Sequence, residues 1–181
     1  MAVGIIGGAP KSCKSWLGLD MAISIASGTK CMGHFPVEER GPVLIYLAED
    51  ALYSVRSRIE NICMSRHIEI ETIPVYVITA PTLRLDLADH QKHLMNTIET
   101  FKPKMLLLDP LVRLHRLDEN SAQDISGILG YLRELQRRYQ VAVIIVHHAS
   151  KKHRTHPGQA LRGSSDLHAF GDSNIYLKRK N

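Results

Sequence analysis

The stretch GGAPKSCKS at residues 7–15 contains the residue types of a phosphate-binding loop. It resembles the pattern G-x-x-x-x-G-K-[ST] but has Cys13 in place of the second glycine, and this relaxed form arises by chance in about one chain in ten of this length. In such a loop, backbone N–H groups cradle the β-phosphate, the lysine (Lys14) bridges β- and γ-oxygens, and the hydroxyl (Ser15) binds Mg²⁺. The residues expected at this nucleotide site are Gly8, Ala9, Pro10, Lys11, Ser12, Cys13, Lys14, Ser15 and Trp16.

Other polar residues that could act on a bound phosphate follow apolar runs of the sequence. Asp109 ends MLLLD and has the chemistry of a metal-binding carboxylate, or alternatively caps the following turn. Glu49 follows PVLIYLA and could orient and deprotonate an attacking water; alternatively, it is a charge at the start of a helix that Asp50 caps. His147 and His148 follow VAVIIV and could contact the γ-phosphate or the water, or could be structural.

These polar residues lie between short apolar runs and helical patterns that alternate along the chain. Apolar residues recur at intervals of three and four from 16 to 27, after Asp50, from 94 to 101, and after Ser121, which forms a capping box with Asp124. We therefore predict an α/β fold with a mostly parallel sheet, in which ligands bind beyond the carboxyl ends of the strands. The runs typical of strands buried on both faces are 3–6, 42–48, 75–79, 105–109, 141–146 and 174–178.

The composition is that of one folded domain. The chain has 181 residues, of which 44% are hydrophobic, which suffices for a sizeable core but not for two ordinary domains. No apolar run approaches the roughly 20 residues of a membrane span and no signal-peptide pattern is present, so we expect a cytoplasmic protein. Three cysteines without C-x-x-C spacing indicate reduced thiols, and the formal charge of +5 favours an anionic partner such as ATP, nucleic acid or an acidic protein.

Five parts of the sequence resemble the RecA-like ATPases related to plasmid hexameric replicative helicases of the RepA type, relatives of DnaB, RadA and KaiC. These parts are GGAPKSCKSWLGLDMAISIASG, LIYLAEDALYSVRSRI, MLLLDPLVRLH followed by DENSAQDI, VIIVHHASK and LRGSS. They occur in the family's order and cover almost the whole chain. The resemblance implies a RecA-like P-loop core with a mostly parallel sheet flanked by helices, in a single ATPase domain over residues 1–181 that is truncated at both ends.

The resemblance also implies how this chain would bind and hydrolyse ATP. Lys14 and Ser15 look like the nucleotide-binding pair of the family, and Ser15 would bind Mg²⁺ together with Asp109. Glu49 resembles the catalytic glutamate at the second strand. ATP and Mg²⁺ are therefore the expected substrate and metal.

Residues near the end of the chain resemble the parts of these ATPases that sense a neighbour or contact DNA. His147 and His148 match the double-histidine sensor region, and Arg162 resembles the arginine finger that one subunit lends to the next. The resemblance therefore implies a homo-oligomeric ring, as in the hexameric helicases. The residues that match a DNA-facing loop, for which a solvated surface loop is the alternative, are Lys151, Lys152 and Arg154.

The function expected from these observations is Mg²⁺-dependent ATP hydrolysis coupled to work on single-stranded DNA in the replication or recombination of a mobile element. One alternative is a switch or regulator that binds ATP and DNA but turns over poorly, and a less favoured one is a small-molecule kinase. Cys13 supports the first alternative, because a cysteine forced to positive φ would carry a strain of order 1 kcal/mol.

Overall fold

The computed structural model describes residues 1–118, 121–148 and 165–178. Each of the six apolar runs of the sequence overlaps a strand, and every predicted helical pattern in the described part of the chain forms a helix. The strands are β1 (Val3–Gly8), β2 (Val43–Leu47), β3 (Val75–Val77), β4 (Met105–Asp109), β5 (Ala142–His148) and β6 (Ser173–Leu177). The helices are α1 (Lys14–Ser27), α2 (Leu52–Ser65), α3 (Ala88–Phe101), α4 (Ala122–Tyr139) and α5 (Ser165–Phe170), with 3₁₀ turns at Ile70–Thr72 and Leu111–Arg113.

The described strands form one parallel sheet in the order β3-β2-β4-β5-β1-β6. β1 pairs with β5 and β6, so the chain crosses over two strands between β1 and β2. Because all pairs are parallel, the carboxyl ends of β1, β2, β4 and β5 lie at the same edge of the sheet. The predicted α/β fold with a parallel sheet flanked by helices is therefore confirmed, and the predicted site residues that follow these four strands share one edge.

Both faces of the sheet are covered, which explains why β1, β2 and β4 are buried along their whole length. One face packs against α1 and α2, whose buried side chains, such as Leu19 and Ile59, belong to the same hydrophobic cluster as Leu107 of β4. The opposite face packs against α3, α4 and α5, for example through Leu132 against Leu106. Each fully buried aliphatic side chain of this kind contributes about 1.5–3 kcal/mol to folding.

Local signals fix the ends of two helices as the sequence predicts. α1 ends at Gly28, whose φ of 79° only glycine adopts easily and whose N–H donates to the Ser24 carbonyl at 2.8 Å. α4 begins after Ser121, whose Oγ accepts a hydrogen bond from the Asp124 N–H at 3.3 Å. Among the described residues, no helix is both long enough and apolar enough to cross a membrane.

The start of α2 differs from the interpretation that Asp50 caps this helix. The residue before α2 is Ala51, and no side chain caps the helix there. The Asp50 carboxylate instead accepts two hydrogen bonds from the Arg58 guanidinium, two turns into α2. A bidentate pair with an arginine is stronger than a single bond to a backbone N–H, which accounts for the difference.

Candidate functional site

The loop between β1 and α1 turns back on itself at the carboxyl edge of the sheet. Two of its residues have left-handed backbone conformations, Lys11 with φ 61° and Cys13 with φ 65°. Turns of this kind direct successive N–H groups into one concavity, which is a common anion-binding arrangement. Cys13 therefore occupies a position that glycine would fill without strain, at a cost of order 1 kcal/mol.

Gly8 lets this loop fold closely against the end of the sheet. A Cβ atom at Gly8 would lie 2.6 Å from Ser12 Oγ and 2.7 Å from the Leu177 carbonyl oxygen, which is too close for any side chain. The Ser12 hydroxyl is itself buried, and within the described residues it has no hydrogen-bond partner. The loop therefore holds an unsatisfied polar atom, which a bound ligand could satisfy.

Lys14 begins α1 and lies inside the loop. The residue is 6% exposed, and its Nζ donates a hydrogen bond to the Ala9 carbonyl oxygen at 2.8 Å. Burial lowers the pKa of Lys14, an effect that the negative charges of Asp109 and Glu49 partly oppose. An ammonium has three donors, so this lysine retains the capacity to bind phosphate oxygens in the concavity.

Asp109 ends β4 directly below the loop. It is 6% exposed and accepts a hydrogen bond from the Ser15 hydroxyl. Burial raises the pKa of Asp109, and the Ser15 hydrogen bond and the Lys14 charge only partly offset that effect. Its Oδ2 atom is buried and has no hydrogen-bond partner in the part of the chain that the structure describes.

The residues present fit a magnesium ion. Mg²⁺ is usually held by one or two protein oxygens together with phosphate oxygens and waters. Ser15 and the unsatisfied Oδ2 atom of Asp109 would supply such oxygens, while the described residues contain no cluster of three His, Cys, Asp or Glu side chains that could hold a metal alone. The donor set is therefore one that a metal would join with a phosphate ligand.

Glu49 follows β2 at the same edge, and its charge acts on both Lys14 and Asp109. Its side chain is 44% exposed, and its Oε1 accepts a hydrogen bond from Arg113 Nε at 2.7 Å. Arg113 belongs to the 3₁₀ turn after β4 and was missed by the sequence analysis, which had no pattern that singled out this arginine. The proposed base is therefore paired with an exposed cation at the edge of the sheet where the loop lies.

The two histidines that end β5 lie on opposite faces of the sheet. They pair in register with Gly7 and Gly8 of β1, so both reach the loop edge. Residues of β5 alternate between faces: Ile145 packs on the α4 face and Val146 on the α1 face. The buried His147 therefore lies on the α4 face and His148 on the α1 face, which is also the face of the loop helix.

The structure brings together the loop and the residues that follow β2, β4 and β5, but it does not reach all predicted site residues. Trp16 lies in the first turn of α1 and is 43% exposed. The loop residues Ala9, Pro10, Lys11 and Cys13 are exposed. The predicted arginine finger and DNA-contacting residues lie outside the described residues; they are Arg162, Lys151, Lys152 and Arg154.

The chain matches a known protein family. A protein-family model described as an AAA domain matches residues 1–154. No curated protein matches the chain. The matched span contains the loop and the polar residues after β2, β4 and β5, so it covers the whole described carboxyl-edge site.

Proposed function

The chain belongs to the AAA domain family of ATPase-type P-loop domains, and from this premise we propose that it hydrolyses ATP with Mg²⁺ and couples hydrolysis to work on DNA. The helicase-like or recombinase-like use follows from the resemblance of its sequence to RepA-type replicative helicases. We further propose that residues 1–181 form a single RecA-like domain.

One observation carries the ATPase proposal. Beneath a loop with an anion-binding backbone, a buried ammonium and a buried carboxylate are held without a full set of partners: Lys14 inside the loop and Asp109 below it. An unsatisfied buried polar group costs about 1–3 kcal/mol, more when it is charged. A nucleotide phosphate with a metal ion would satisfy both groups, which supports binding of Mg-ATP at this place.

In the proposed reaction, water attacks the γ-phosphorus of ATP in line with the bond to the β,γ-bridging oxygen. The loop N–H groups and Lys14 stabilise the charge that develops on the phosphate oxygens. Ser15 and Asp109 would hold Mg²⁺, which when bound neutralises phosphate charge. Because these groups are fixed before the substrate arrives, little reorganisation is needed during the reaction.

Glu49 would orient the water and accept its proton. In the described structure its Oε1 atom accepts a hydrogen bond from Arg113 Nε, a contact that engages only one of the two carboxylate oxygens and restrains where Glu49 can hold the water. His148, on the loop face of the sheet, is the better placed of the two histidines to contact the γ-phosphate. Arg162 of a neighbouring subunit would complete the site, which would make hydrolysis depend on a homo-oligomeric ring such as a hexamer.

Work on DNA would use the basic segment that follows β5. Lys151, Lys152 and Arg154 would contact phosphates of single-stranded DNA, since such contacts are mainly electrostatic. Its first lysine, Lys151, lies three positions after His148, the last residue of β5, so loss of the γ-phosphate at the loop could be transmitted to this segment. The net charge of +5 supports an anionic partner.

The Glu49–Arg113 ion pair favours a second candidate, a switch that binds ATP but turns over slowly. A glutamate whose Oε1 is held by a guanidinium is less free to orient the attacking water, and the strained Cys13 adds to the cost of the loop conformation. In that case, ATP binding rather than hydrolysis would control the interaction with DNA.

The test is phosphate release from Mg-ATP by the wild type and by Glu49→Gln, with and without single-stranded DNA and over a range of protein concentrations. A motor predicts turnover that rises with DNA and concentration and falls about 100-fold or more in Glu49→Gln. The matched control is Glu60→Gln, because Glu60 is also an exposed carboxylate paired with an arginine, but on the outer face of α2.

The same experiment separates the two candidates. Arg113→Ala should raise the basal rate of a switch, because it frees Glu49, and should leave the DNA-stimulated rate of a motor nearly unchanged. Tight ATP binding without turnover in the wild type would favour the switch. Turnover of Glu49→Gln equal to that of the wild type would contradict the proposed base.

A further inference from the structure

We propose that Trp16, positioned by Arg58, is a stacking platform for the nucleobase of the nucleotide held in the loop. This inference rests on the proposed function, because it needs a nucleotide at that site. It adds a binding contact that the phosphate cradle alone does not supply. Trp16 contacts the ligand in this proposal, and Arg58 is a positioning residue.

The position of Trp16 suits this role. It directly follows Ser15, whose hydroxyl contacts Asp109, and it lies two residues after Lys14 in the first turn of α1. In this proposal, a nucleotide whose phosphates occupy the loop places its base beside the first turn of the helix. The indole is 43% exposed there, so its ring remains accessible to a ligand.

The indole is oriented by a chain of two interactions. The Arg58 guanidinium carbon lies 5.8 Å from the centroid of the Trp16 ring, within the range of a cation–π contact. Arg58 is in turn fixed by Asp50, through hydrogen bonds of 2.7 and 2.8 Å from its two terminal nitrogens to the two carboxylate oxygens. A large exposed aromatic side chain with a fixed orientation loses less entropy on binding than a free one.

The indole ring of Trp16 would contact the base of a nucleotide and not its phosphates. Every nucleobase has a π-face, and stacking on an aromatic ring weakly distinguishes one base from another. The platform would therefore strengthen the binding of nucleoside triphosphates over tripolyphosphate, which has the same phosphates but no base. It predicts little discrimination between ATP and GTP.

The first test is intrinsic fluorescence, since Trp16 is the only tryptophan of the chain. Titration of the wild type with Mg-ATP should quench or shift the tryptophan emission, and saturating Mg-tripolyphosphate should change it much less. Calorimetry in the same buffer measures the affinity for both ligands independently of fluorescence. Equal emission changes with ATP and tripolyphosphate would contradict stacking of the base.

The second test is substitution of the platform. Trp16→Leu should weaken ATP binding about fivefold or more while tripolyphosphate affinity stays within about twofold, and Trp16→Phe should retain most of the ATP affinity because it keeps a ring. Arg58→Met should weaken ATP binding selectively, though less than Trp16→Leu. The control is Phe35→Leu, which removes another exposed aromatic ring, in the loop beyond the far end of α1.

The outcomes distinguish the platform from the proposed function. If neither ATP nor tripolyphosphate binds the wild type, the ATPase proposal fails and the platform fails with it. If both ligands bind equally well, or if Trp16→Leu weakens both to the same extent, only the platform fails. A selective loss of ATP affinity in Trp16→Leu, absent in Phe35→Leu, supports it.

Discussion

Charged side chains at the start of α1 have few partners, whereas those along its second part are well paired. At its start, Lys14 and Asp109 are buried with few partners, and burial lowers the pKa of Lys14 and raises that of Asp109. From the middle of the helix to its other end, the charges are paired: Asp20 binds Arg66 and also accepts from the Met32 N–H at 2.7 Å and from the Cys31 thiol at 3.3 Å.

The arginine at this second end is equally well satisfied. Arg66, near the end of α2, donates to Ser24 Oγ at 2.8 Å and to Thr29 Oγ1 at 3.0 Å as well as to Asp20. These bonds join α1, α2 and the loop after α1. A complete network of this kind stabilises a fold, whereas charges left without partners destabilise it until a ligand binds. The difference supports a structural role for the second region and supports the proposal that the first region binds the nucleotide.

The largest effect should follow from Lys14→Ala. Loss of the buried ammonium removes its contact with the phosphates, so phosphate release from Mg-ATP should fall about 1,000-fold or more. The free energy of unfolding without ligand should change by no more than about 1 kcal/mol, because the charge is poorly paired in the folded state. Phosphate-release assays and thermal unfolding of the same samples test both expectations.

The control is Lys30→Ala, which removes an exposed lysine just past the other end of α1. This variant should keep full turnover and full stability. Comparable loss of turnover in both lysine variants would mean that general positive charge, rather than the buried ammonium, binds the phosphates.

Asp109→Asn should separate function from stability. Turnover should fall about 100-fold, because the amide is a poor ligand for Mg²⁺. The free energy of unfolding without ligand should rise by on the order of 1 kcal/mol, and the melting temperature by about 2–4 °C, because a buried charge without a full set of partners is removed. The loss of attraction to Lys14 keeps this gain small.

The gain from Asp109→Asn should depend on pH with a definite sign. Because the pKa of Asp109 is raised in the folded state, the wild type loses stability as pH rises from the pKa of the unfolded chain through that of the folded one. The advantage of the variant over the wild type should therefore grow with pH across the acidic range and then level off. Thermal unfolding of both proteins in metal-free buffers from pH 4 to 8 measures this difference in stability. A difference that shrinks with rising pH would contradict the burial of an ionised carboxylate.

Arg66→Met should have the opposite effects to Asp109→Asn, because it should lower stability and leave turnover unchanged. It leaves the Asp20 carboxylate, whose side chain is 22% exposed, without its cation and should destabilise the fold by about 2 kcal/mol, or roughly 4–8 °C. Turnover well below the melting temperature should be unchanged. Arg56→Met is the control, because its ion pair with Glu60 is exposed and should therefore contribute little to stability.

The structural features that can be predicted from the sequence are those that depend on neighbouring residues in the chain. MLLLD specifies a buried strand and places Asp109 at its end, and the spacing within GGAPKSCKS specifies the loop. The Glu49–Arg113 pair joins residues 64 positions apart, and no local pattern predicts it because it depends on the turn after β4. The separation of the two histidines onto opposite faces could have been predicted from strand alternation alone, once the strand was known to continue through both.

The smallest effect is expected at Cys13, the residue that departs from the loop pattern. Cys13→Gly removes a strain of about 1 kcal/mol at φ 65°, but glycine also makes the unfolded chain more flexible, so we expect a net gain in stability of about 0.5 kcal/mol, or 1–2 °C in melting temperature.

Cys13→Ala is the discriminating control, because it removes the thiol and keeps the strain. A rise in melting temperature with glycine but not with alanine would attribute the cost to backbone conformation. An equal rise with both would attribute it to the thiol and would mean that the backbone of the loop tolerates a side chain at this position. If only glycine raises the melting temperature, turnover of Cys13→Gly at or above that of the wild type would show that the loop binds phosphate through its backbone. The cysteine would then be a destabilising residue that is not part of the site.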